Sequence, residues 1–148
     1  MRTSDFSDVL QCLNACGAKY LVVGAHAVMR YTEPRATKDL DLWIENSSQN
    51  ARRVYRGLRR FGAPLDQITP ADLEEPEMIL QIGVAPVRVD ILSSLPGMSF
   101  ADAWQHRESV LWEGVEAPFI SRNDLVRAKK LAGRPSDRED LRRLQRKR

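Results

Sequence analysis

The chain has 148 residues, 43% of them hydrophobic and 29% charged, and its formal net charge is +3. This length and balance predict a single globular domain over residues 1–148 and exclude a chain that is disordered throughout. Its two cysteines are too few for a disulfide framework, no apolar run approaches the ~20 residues of a membrane span, and the N-terminus lacks a signal-peptide core. We therefore expect a cytoplasmic protein without a membrane partner.

Positive charge is concentrated at the C-terminal end, where basic residues clearly outnumber acidic ones over residues 122–148. Further arginines decorate the helix predicted near residues 48–61. Such an asymmetry favours a polyanionic partner, either nucleic acid or nucleotide phosphate. The alternative is a solvated helix face followed by a basic tail.

Hydrophobic periodicity divides the first half of the chain into helices and strands. Apolar residues recur with helical spacing up to Gly17 and again up to Gly62, and glycine commonly ends a helix. Short apolar or alternating runs predict strands. The predicted elements are a helix over about 6–16, a strand at 20–23, a short helix at 25–31, a strand at 39–44, a helix from 47 or 48 to 61, and a loop over 63–76.

The second half is predicted to contain two hairpins and three helices. Tight turns are expected at Ala85-Pro86 and Glu113-Gly114. The predicted elements are strands at 78–84 and 87–92, a weak helix at 99–107, strands at 110–112 and 115–120, and helices at 121–131 and from 136 onward. Together they indicate an α/β (α+β) fold, with a small, mixed, mostly antiparallel sheet and helices packed on one side of it.

Three aspartates interrupt apolar strand patterns. Asp39 and Asp41 lie two residues apart, so a strand places both carboxylates on one face, and Asp90 lies within a second apolar strand. Like charges at this spacing repel unless a cation lies between them, and Mg²⁺ prefers carboxylates together with substrate phosphates. Three such carboxylates on adjacent strands suit phosphoryl or nucleotidyl transfer. The alternative is a pair of exposed acids on an edge strand, which Asp90 makes less favourable.

A strand-ending glycine precedes the short second helix. Gly24 would let backbone amides approach a phosphate closely, and a helix N-terminus attracts negative charge. On its own this signal is weak, because such a glycine is usually only part of a turn. His26 follows it, and a hydrogen-bonded structural role is favoured over contact with phosphate.

These blocks resemble the DNA-polymerase-β-like nucleotidyltransferase superfamily. The resemblance rests on a strand-end glycine at Gly24, the Arg-Ala-Thr-Lys-Asp-Leu-Asp run at 35–41, and Asp90 on a later strand. The C-terminal Lys129 and the Arg-Pro-Ser-Asp-Arg-Glu-Asp run at 134–140 are similar to the ending of the AbiEii toxin-like branch. The similarity covers roughly residues 18–144.

The resemblance implies a role for each matching residue. Asp39, Asp41 and Asp90 would be catalytic and would bind Mg²⁺ or Mn²⁺, with Asp90 also orienting or deprotonating the acceptor hydroxyl. The implied nucleotide-binding residues are Gly24, Ala25, Arg35, Thr37 and Lys129. Ala25 departs from the family pattern, which often has Ser or Gly there, so a phosphate-binding hydroxyl is missing. Arg134, Asp137 and Asp140 would brace helices.

The function expected from the resemblance is transfer of NMP from an NTP to a hydroxyl of RNA, a protein or a small molecule, in a setting that includes toxin–antitoxin systems. The acceptor, tRNA among the candidates, would be held by a dimer or by a partner protein, because the chain is short. One alternative is a weak or inactive antitoxin or regulatory module, which Ala25 favours and the three aspartates oppose. Another is a structural nucleic-acid-binding protein, which leaves those aspartates unexplained.

Overall fold

Within the described residues, six strands form one mixed sheet, and they agree with the strand patterns of the sequence. The computed structural model describes residues 2, 5–84 and 87–146. The order across the sheet is β3-β4-β2-β1-β6-β5. The strands are β1 (Tyr20–Val23), β2 (Asp39–Ile44), β3 (Ile79–Val84), β4 (Val87–Leu92), β5 (Glu108–Trp112) and β6 (Val115–Phe119).

The sheet combines three antiparallel pairs, β1–β2, β3–β4 and β5–β6, with two parallel pairs, β2–β4 and β1–β6. The parallel pairing of β2 with β4 sets Asp41 opposite Asp90 and Asp39 opposite Arg88. The antiparallel pairing of β1 with β2 sets Val23, the last residue of β1, opposite Asp41. The predicted fold class is confirmed, and its sheet brings the predicted aspartates together.

The described part of the chain contains six α-helices, which pack around the sheet. Ser47 caps α3 by accepting a hydrogen bond from the Asn50 backbone N–H, and Gly62 ends α3 in the left-handed conformation. Among the described residues, no helix has the length and apolar character needed to cross a bilayer. The helices are α1 (Asp5–Ala15), α2 (Gly24–Tyr31), α3 (Ser48–Phe61), α4 (Phe100–Gln105), α5 (Arg122–Ala132) and α6 (Pro135–Arg146).

Both faces of the central strands are covered, so the expectation of helices on one side only is wrong. Leu42 and Trp43 point to opposite faces of β2, and both are almost completely buried. Trp43, on the same face as Asp41, packs edge-on against Phe100 of α4 with ring centroids 5.2 Å apart. A strand with apolar side chains on both faces needs cover on both.

Most predicted elements are observed within one to three residues of the expected bounds. The predicted loop over 63–76 is partly wrong, because Pro70–Glu74 forms a 3-10 helix. Thr69 and Asp72 close a capping box at its start, and Leu73 is buried. The predicted turn Ala85-Pro86 lies outside the described residues.

Candidate active site

The three predicted aspartates lie on one face of two neighbouring strands. Asp39 and Asp41 are at alternate positions of β2, and Asp90 is opposite Asp41 on β4. The Asp90 side chain is 13% exposed, whereas the Asp39 side chain is 42% exposed. The set therefore runs from the solvent edge, at Asp39, toward the covered part of the sheet.

Arg88 contacts two of these carboxylates, Asp90 and Asp39. It lies opposite Asp39 and two residues before Asp90, so its side chain shares their face of the sheet. Its Nε donates to Asp90 Oδ1 at 2.7 Å, and its Nη2 donates to Asp90 Oδ2 at 3.3 Å. The same Nη2 is 3.6 Å from Asp39 Oδ2. We call Asp39, Asp41 and Asp90 the strand carboxylates.

Gly24 determines how Asp41 is placed. A Cβ at position 24 would collide with the Asp41 carboxylate, and Gly24 has φ +69°, which disfavours any side chain. The glycine thus lets the Asp41 carboxylate lie directly against the start of α2. The sequence predicted that Gly24 makes room for a phosphate; the structure gives it the additional task of making room for Asp41.

Asp41 is held in an electrostatically unfavourable position. Burial raises its pKa, and the charges of Asp90 and Asp39 raise it further, to about 6. Lys129 and Arg88 act in the opposite direction without cancelling the effect. Near neutral pH this cluster therefore has more negative charge than its surroundings balance, a condition that a bound cation would relieve.

A cleft of about 390 Å³ opens beside Asp41. Gly24 and Asp41 line one part of it, β3 and β4 supply Ile79 and Leu92, and α5 supplies Lys129. Most of the remaining lining is apolar: Val23, Met78, Leu95, Pro96, Leu125, Ala128 and Ala132. The site thus combines an acidic end with a mainly apolar wall large enough for part of a small organic molecule.

A second group of charges joins α5 to α6. Lys129 Nζ is 3.2 Å from Asp137 Oδ1 and 3.1 Å from Asp140 Oδ2, and its side chain is only 12% exposed. Arg134 and Arg35 bind Asp137 and Asp140 respectively, each at 2.7 Å. We call these five residues the C-terminal ion cluster. Both of its aspartates are at most 5% exposed, so the cluster fixes α6 against α5.

The cations of this cluster control the acidity of its aspartates. Burial alone raises the pKa of Asp137, but hydrogen bonds from Arg134 and Lys129 outweigh it and hold that pKa below its ordinary value. Burial likewise raises the pKa of Asp140, and hydrogen bonds from Arg35 and Lys129 lower it overall. Both carboxylates are thereby kept charged and paired.

The structure brings some predicted nucleotide-binding residues to the cleft and leaves others outside its lining. Gly24 and Lys129 line the cleft, although Lys129 is also engaged by two aspartates. Arg35 is bound to α6, and the Thr37 hydroxyl accepts a bond from the Asp39 N–H at 3.4 Å. Ala25 follows Gly24 in the first turn of α2, which has no side-chain cap at its N-terminus.

The hydrogen bond expected for His26 is not observed at its Nε2. Its ring lies between Phe6 and Trp112, with centroid distances of 5.8 and 5.0 Å. Its Nε2 is buried without a hydrogen-bond partner among the described residues. Burial lowers the pKa of His26, which favours the neutral form of its ring near neutral pH. Its observed contacts are with aromatic side chains, which is consistent with a role in packing.

Sequence reasoning missed Arg88. Its spacing of two residues from Asp90 is visible in the sequence, and in a strand that spacing places both side chains on one face. The apolar lining from Met78, Ile79 and Leu95 was also missed, because it depends on which residues α5 faces across the cleft.

The fold is shared with known nucleotidyltransferase structures. A candidate nucleotidyltransferase from Thermotoga maritima superposes with a TM-score of 0.63 at 16% identity, over 97% of this chain and 91% of that one. The lincosamide antibiotic adenylyltransferase LnuA, in its lincomycin-bound structure, superposes with a TM-score of 0.59 at 13% identity, over 96% of this chain and 95% of that one. At these identities the likeness establishes the fold alone.

No curated protein matches the chain. A family model does, over residues 2–148, and it is described as "Nucleotidyl transferase of unknown function (DUF2204)". That range includes the strand carboxylates, the cleft and the C-terminal ion cluster. The resemblance to nucleotidyltransferases is confirmed at this level, and the chain belongs to this nucleotidyl transferase family.

Proposed function

We propose that this protein is a divalent-cation-dependent nucleotidyltransferase, which moves NMP from an NTP to an acceptor hydroxyl and releases pyrophosphate. The observation that carries the proposal is the register of β2 and β4, because it sets Asp41 opposite Asp90 on one face with Asp39 beside them. Burial and the neighbouring charges of Asp90 and Asp39 raise the pKa of Asp41, which supports the same conclusion.

The donor set suits a hard cation such as Mg²⁺ or Mn²⁺, because all three side chains offer carboxylate oxygens. As the side chains stand, however, no three His, Cys, Asp or Glu residues of the described chain converge on one metal position. Both oxygens of Asp90 are engaged by Arg88. When bound, the cation would neutralise charge on the triphosphate and hold its phosphates in place.

The chain's own residues would divide the remaining work. Asp39, Asp41 and Asp90 would bind the cation, and Asp39 and Asp41 would also help to orient the triphosphate. Asp90, which is nearly buried, orients the acceptor hydroxyl and takes up its proton. The N–H groups at the start of α2, beside Gly24, lack a side-chain cap and are suited to hold a phosphate. Positioning and charge complementarity supply most of the acceleration in reactions of this kind.

The remaining nucleotide-binding assignments are indirect. Arg35 and Thr37 would hold the segment before β2, since one binds α6 and the other the Asp39 N–H. Lys129 would place positive charge near the nucleotide while remaining paired with Asp137 and Asp140. Its influence on the pKa of Asp41 supports this assignment.

The proposed acceptor is a hydroxyl of RNA, including tRNA ends, of a partner protein, or of a small molecule. A second copy of the chain or a partner protein would complete the acceptor site. The apolar cleft beside Asp41 favours the small molecule. LnuA, a neighbour in fold, is an adenylyltransferase with lincomycin bound in its structure. The basic residues of α6 favour RNA.

We also propose a cytoplasmic toxin–antitoxin setting of the AbiEii toxin-like kind. The similarity of the run from Arg134 to Asp140 to that branch supports it. Controlled expression of the wild type should then arrest growth of the host cell, and Asp41→Asn should not. Equal growth with both chains would remove this setting and leave the reaction itself untouched.

A second candidate is a nucleotide-binding regulatory module that performs no transfer. Two observations favour it: Arg88 engages Asp90, and residue 25 is Ala. Such a module would bind NTP with the same residues, so nucleotide binding alone does not separate the two candidates.

Transfer of label separates them. The full chain is incubated with Mg²⁺, each α-³²P-labelled NTP in turn, and cell lysate divided into RNA, protein and small-molecule fractions. We expect label to appear in one fraction with the wild type and with Asp102→Asn, an exposed aspartate on α4, and not with Asp41→Asn or Asp90→Asn. Calorimetric NTP binding without any transfer would favour the regulatory module.

A further inference from the structure

Arg88 occupies the position at which a cation would have to meet Asp90. The guanidinium makes a two-pronged contact with both Asp90 oxygens, at 2.7 and 3.3 Å, and approaches Asp39 to 3.6 Å. The guanidinium thus donates two hydrogen bonds to Asp90 and places its positive charge close to Asp39. Binding of a divalent cation between the same groups would place it next to the positively charged guanidinium, and the two would repel each other.

The Arg88 side chain has room to leave. It is 26% exposed, whereas the Asp90 side chain is 13% exposed and cannot turn to solvent as readily. Arg88 lies opposite Asp39, at the exposed end of the strand carboxylates. A change of rotamer would therefore carry the guanidinium into water without moving the backbone of β4.

We propose that Arg88 competes with the divalent cation for the strand carboxylates, holding Asp90 and Asp39 in the cation-free protein and releasing Asp90 when cation and nucleotide bind together. This inference rests on the cation site of the proposed function. It assigns Arg88 as a positioning residue, and it makes cation binding depend on nucleotide, whose phosphate oxygens help to displace the arginine.

Binding of Mn²⁺ to the nucleotide-free full chain, followed by electron paramagnetic resonance, tests the competition without any reaction. We expect Arg88→Gln to bind Mn²⁺ at least tenfold more tightly than the wild type. Arg88→Lys should have an intermediate affinity, because lysine keeps the positive charge but cannot make the two-pronged contact of a guanidinium. Arg142→Gln is the matched control, since it removes the same charge from a pair with Glu139 on α6. Arg88→Gln combined with Asp41→Asn should lose the added affinity.

A second measurement covers the case in which Arg88→Gln fails to fold. In the wild type, the ¹⁵Nε signal of Arg88, identified by its absence from Arg88→Lys, should exchange slowly because of its bond to Asp90. Addition of Mg²⁺ with an NTP should shift this signal and accelerate its exchange. An unmoved signal while calorimetry records binding of cation and nucleotide would overturn the proposal.

The Mn²⁺ measurements distinguish failure of the Arg88 competition from failure of the cation site itself. Equal Mn²⁺ affinity in the wild type and Arg88→Gln would overturn the competition and leave the cation site in place. Absence of Mn²⁺ binding from every variant, with or without NTP, would overturn both the competition and the cation part of the proposed function.

Discussion

Two groups of aspartates lie near the same cleft, and their charges are balanced differently. In the C-terminal ion cluster, Lys129 and two arginines surround two buried aspartates, and hydrogen bonds keep the pKa of both aspartates low. Among the strand carboxylates, the pKa of Asp41 is raised to about 6 by burial and by its acidic neighbours. Buried acids that are paired stabilise a fold, whereas an unbalanced acid opposes it and is retained for another reason, typically function.

The largest effect that would separate the two groups is on transfer. Asp90→Asn should lower the transfer rate by about 10²–10⁴-fold, the usual contribution of a group that handles the reacting proton. NTP affinity should stay within a few-fold, because the role of Asp90 is at the acceptor hydroxyl. Single-turnover transfer and calorimetry measure the two quantities. Equal losses in both would assign Asp90 to nucleotide binding instead.

A change in the C-terminal ion cluster should lower the free energy of unfolding. Lys129→Met leaves Asp137 and Asp140 buried with fewer partners, and should lower the free energy of unfolding by about 3–5 kcal/mol. Lys130→Met, at the exposed neighbouring position, is the control and should change it little. Urea denaturation followed by circular dichroism gives both values. A loss of NTP affinity with stability unchanged would show that Lys129 serves the nucleotide alone.

Removal of a charge from the strand carboxylates should have the opposite effect on stability: it should raise the free energy of unfolding. Because the folded protein raises the pKa of Asp41 from 3.8 to about 6, it holds that proton more tightly than the unfolded chain, so this group's contribution to stability falls as pH rises from about 4 to 6. Asp41→Asn should therefore stabilise the cation-free protein by up to about 3 kcal/mol at pH 7, and by almost nothing below pH 4.

Urea unfolding in EDTA at several pH values tests this prediction. Asp137 and Asp140 lose their contribution to stability as pH falls, but they do so equally in the wild type and in Asp41→Asn. The difference in free energy of unfolding between these two proteins therefore reports on Asp41 alone. A variant that is less stable than the wild type at pH 7 would mean that the Asp41 charge is already balanced in the folded protein.

The smallest expected effect concerns the basic end beyond both groups. Truncation after Leu144 removes Arg146, Lys147 and Arg148, and should leave NTP affinity and folding almost unchanged because Leu144 and the ion cluster remain. If the acceptor is RNA, the truncation should weaken RNA binding and flatten its dependence on salt. Filter binding at several salt concentrations measures this. An identical salt slope would withdraw the charge-based argument for RNA.

Local patterns predicted the fold well because they depend on neighbours in sequence. The alternation over Asp39–Ile44 placed two aspartates on one face, and the observed strand has the same bounds. The 3-10 helix was missed although Thr69 and Asp72 carry its capping signal, because a stretch rich in proline and acids was interpreted as a loop.

The long-range part of the site could not be predicted from such patterns. Periodicity predicts that Asp90 lies in a strand, but not that this strand is the parallel neighbour of β2 in a register that pairs Asp90 with Asp41. Lys129 was assigned to the nucleotide from a motif, and its engagement by Asp137 and Asp140 depends on how α5 meets α6. The roles of the predicted site residues remain predictions until the variants are measured.

The parallel pairing of β2 with β4 has a consequence for folding kinetics. The paired residues of β2 and β4 lie about fifty residues apart in sequence, so the ends of this long segment must come together before Asp41 and Asp90 can meet. Local hairpins such as β5–β6 need no such closure and can form earlier. We therefore expect the repulsion between the two carboxylates to arise later in folding than the local hairpin contacts. We expect Asp41→Asn, which removes part of this repulsion, to refold faster than the wild type when refolding is followed by stopped-flow fluorescence.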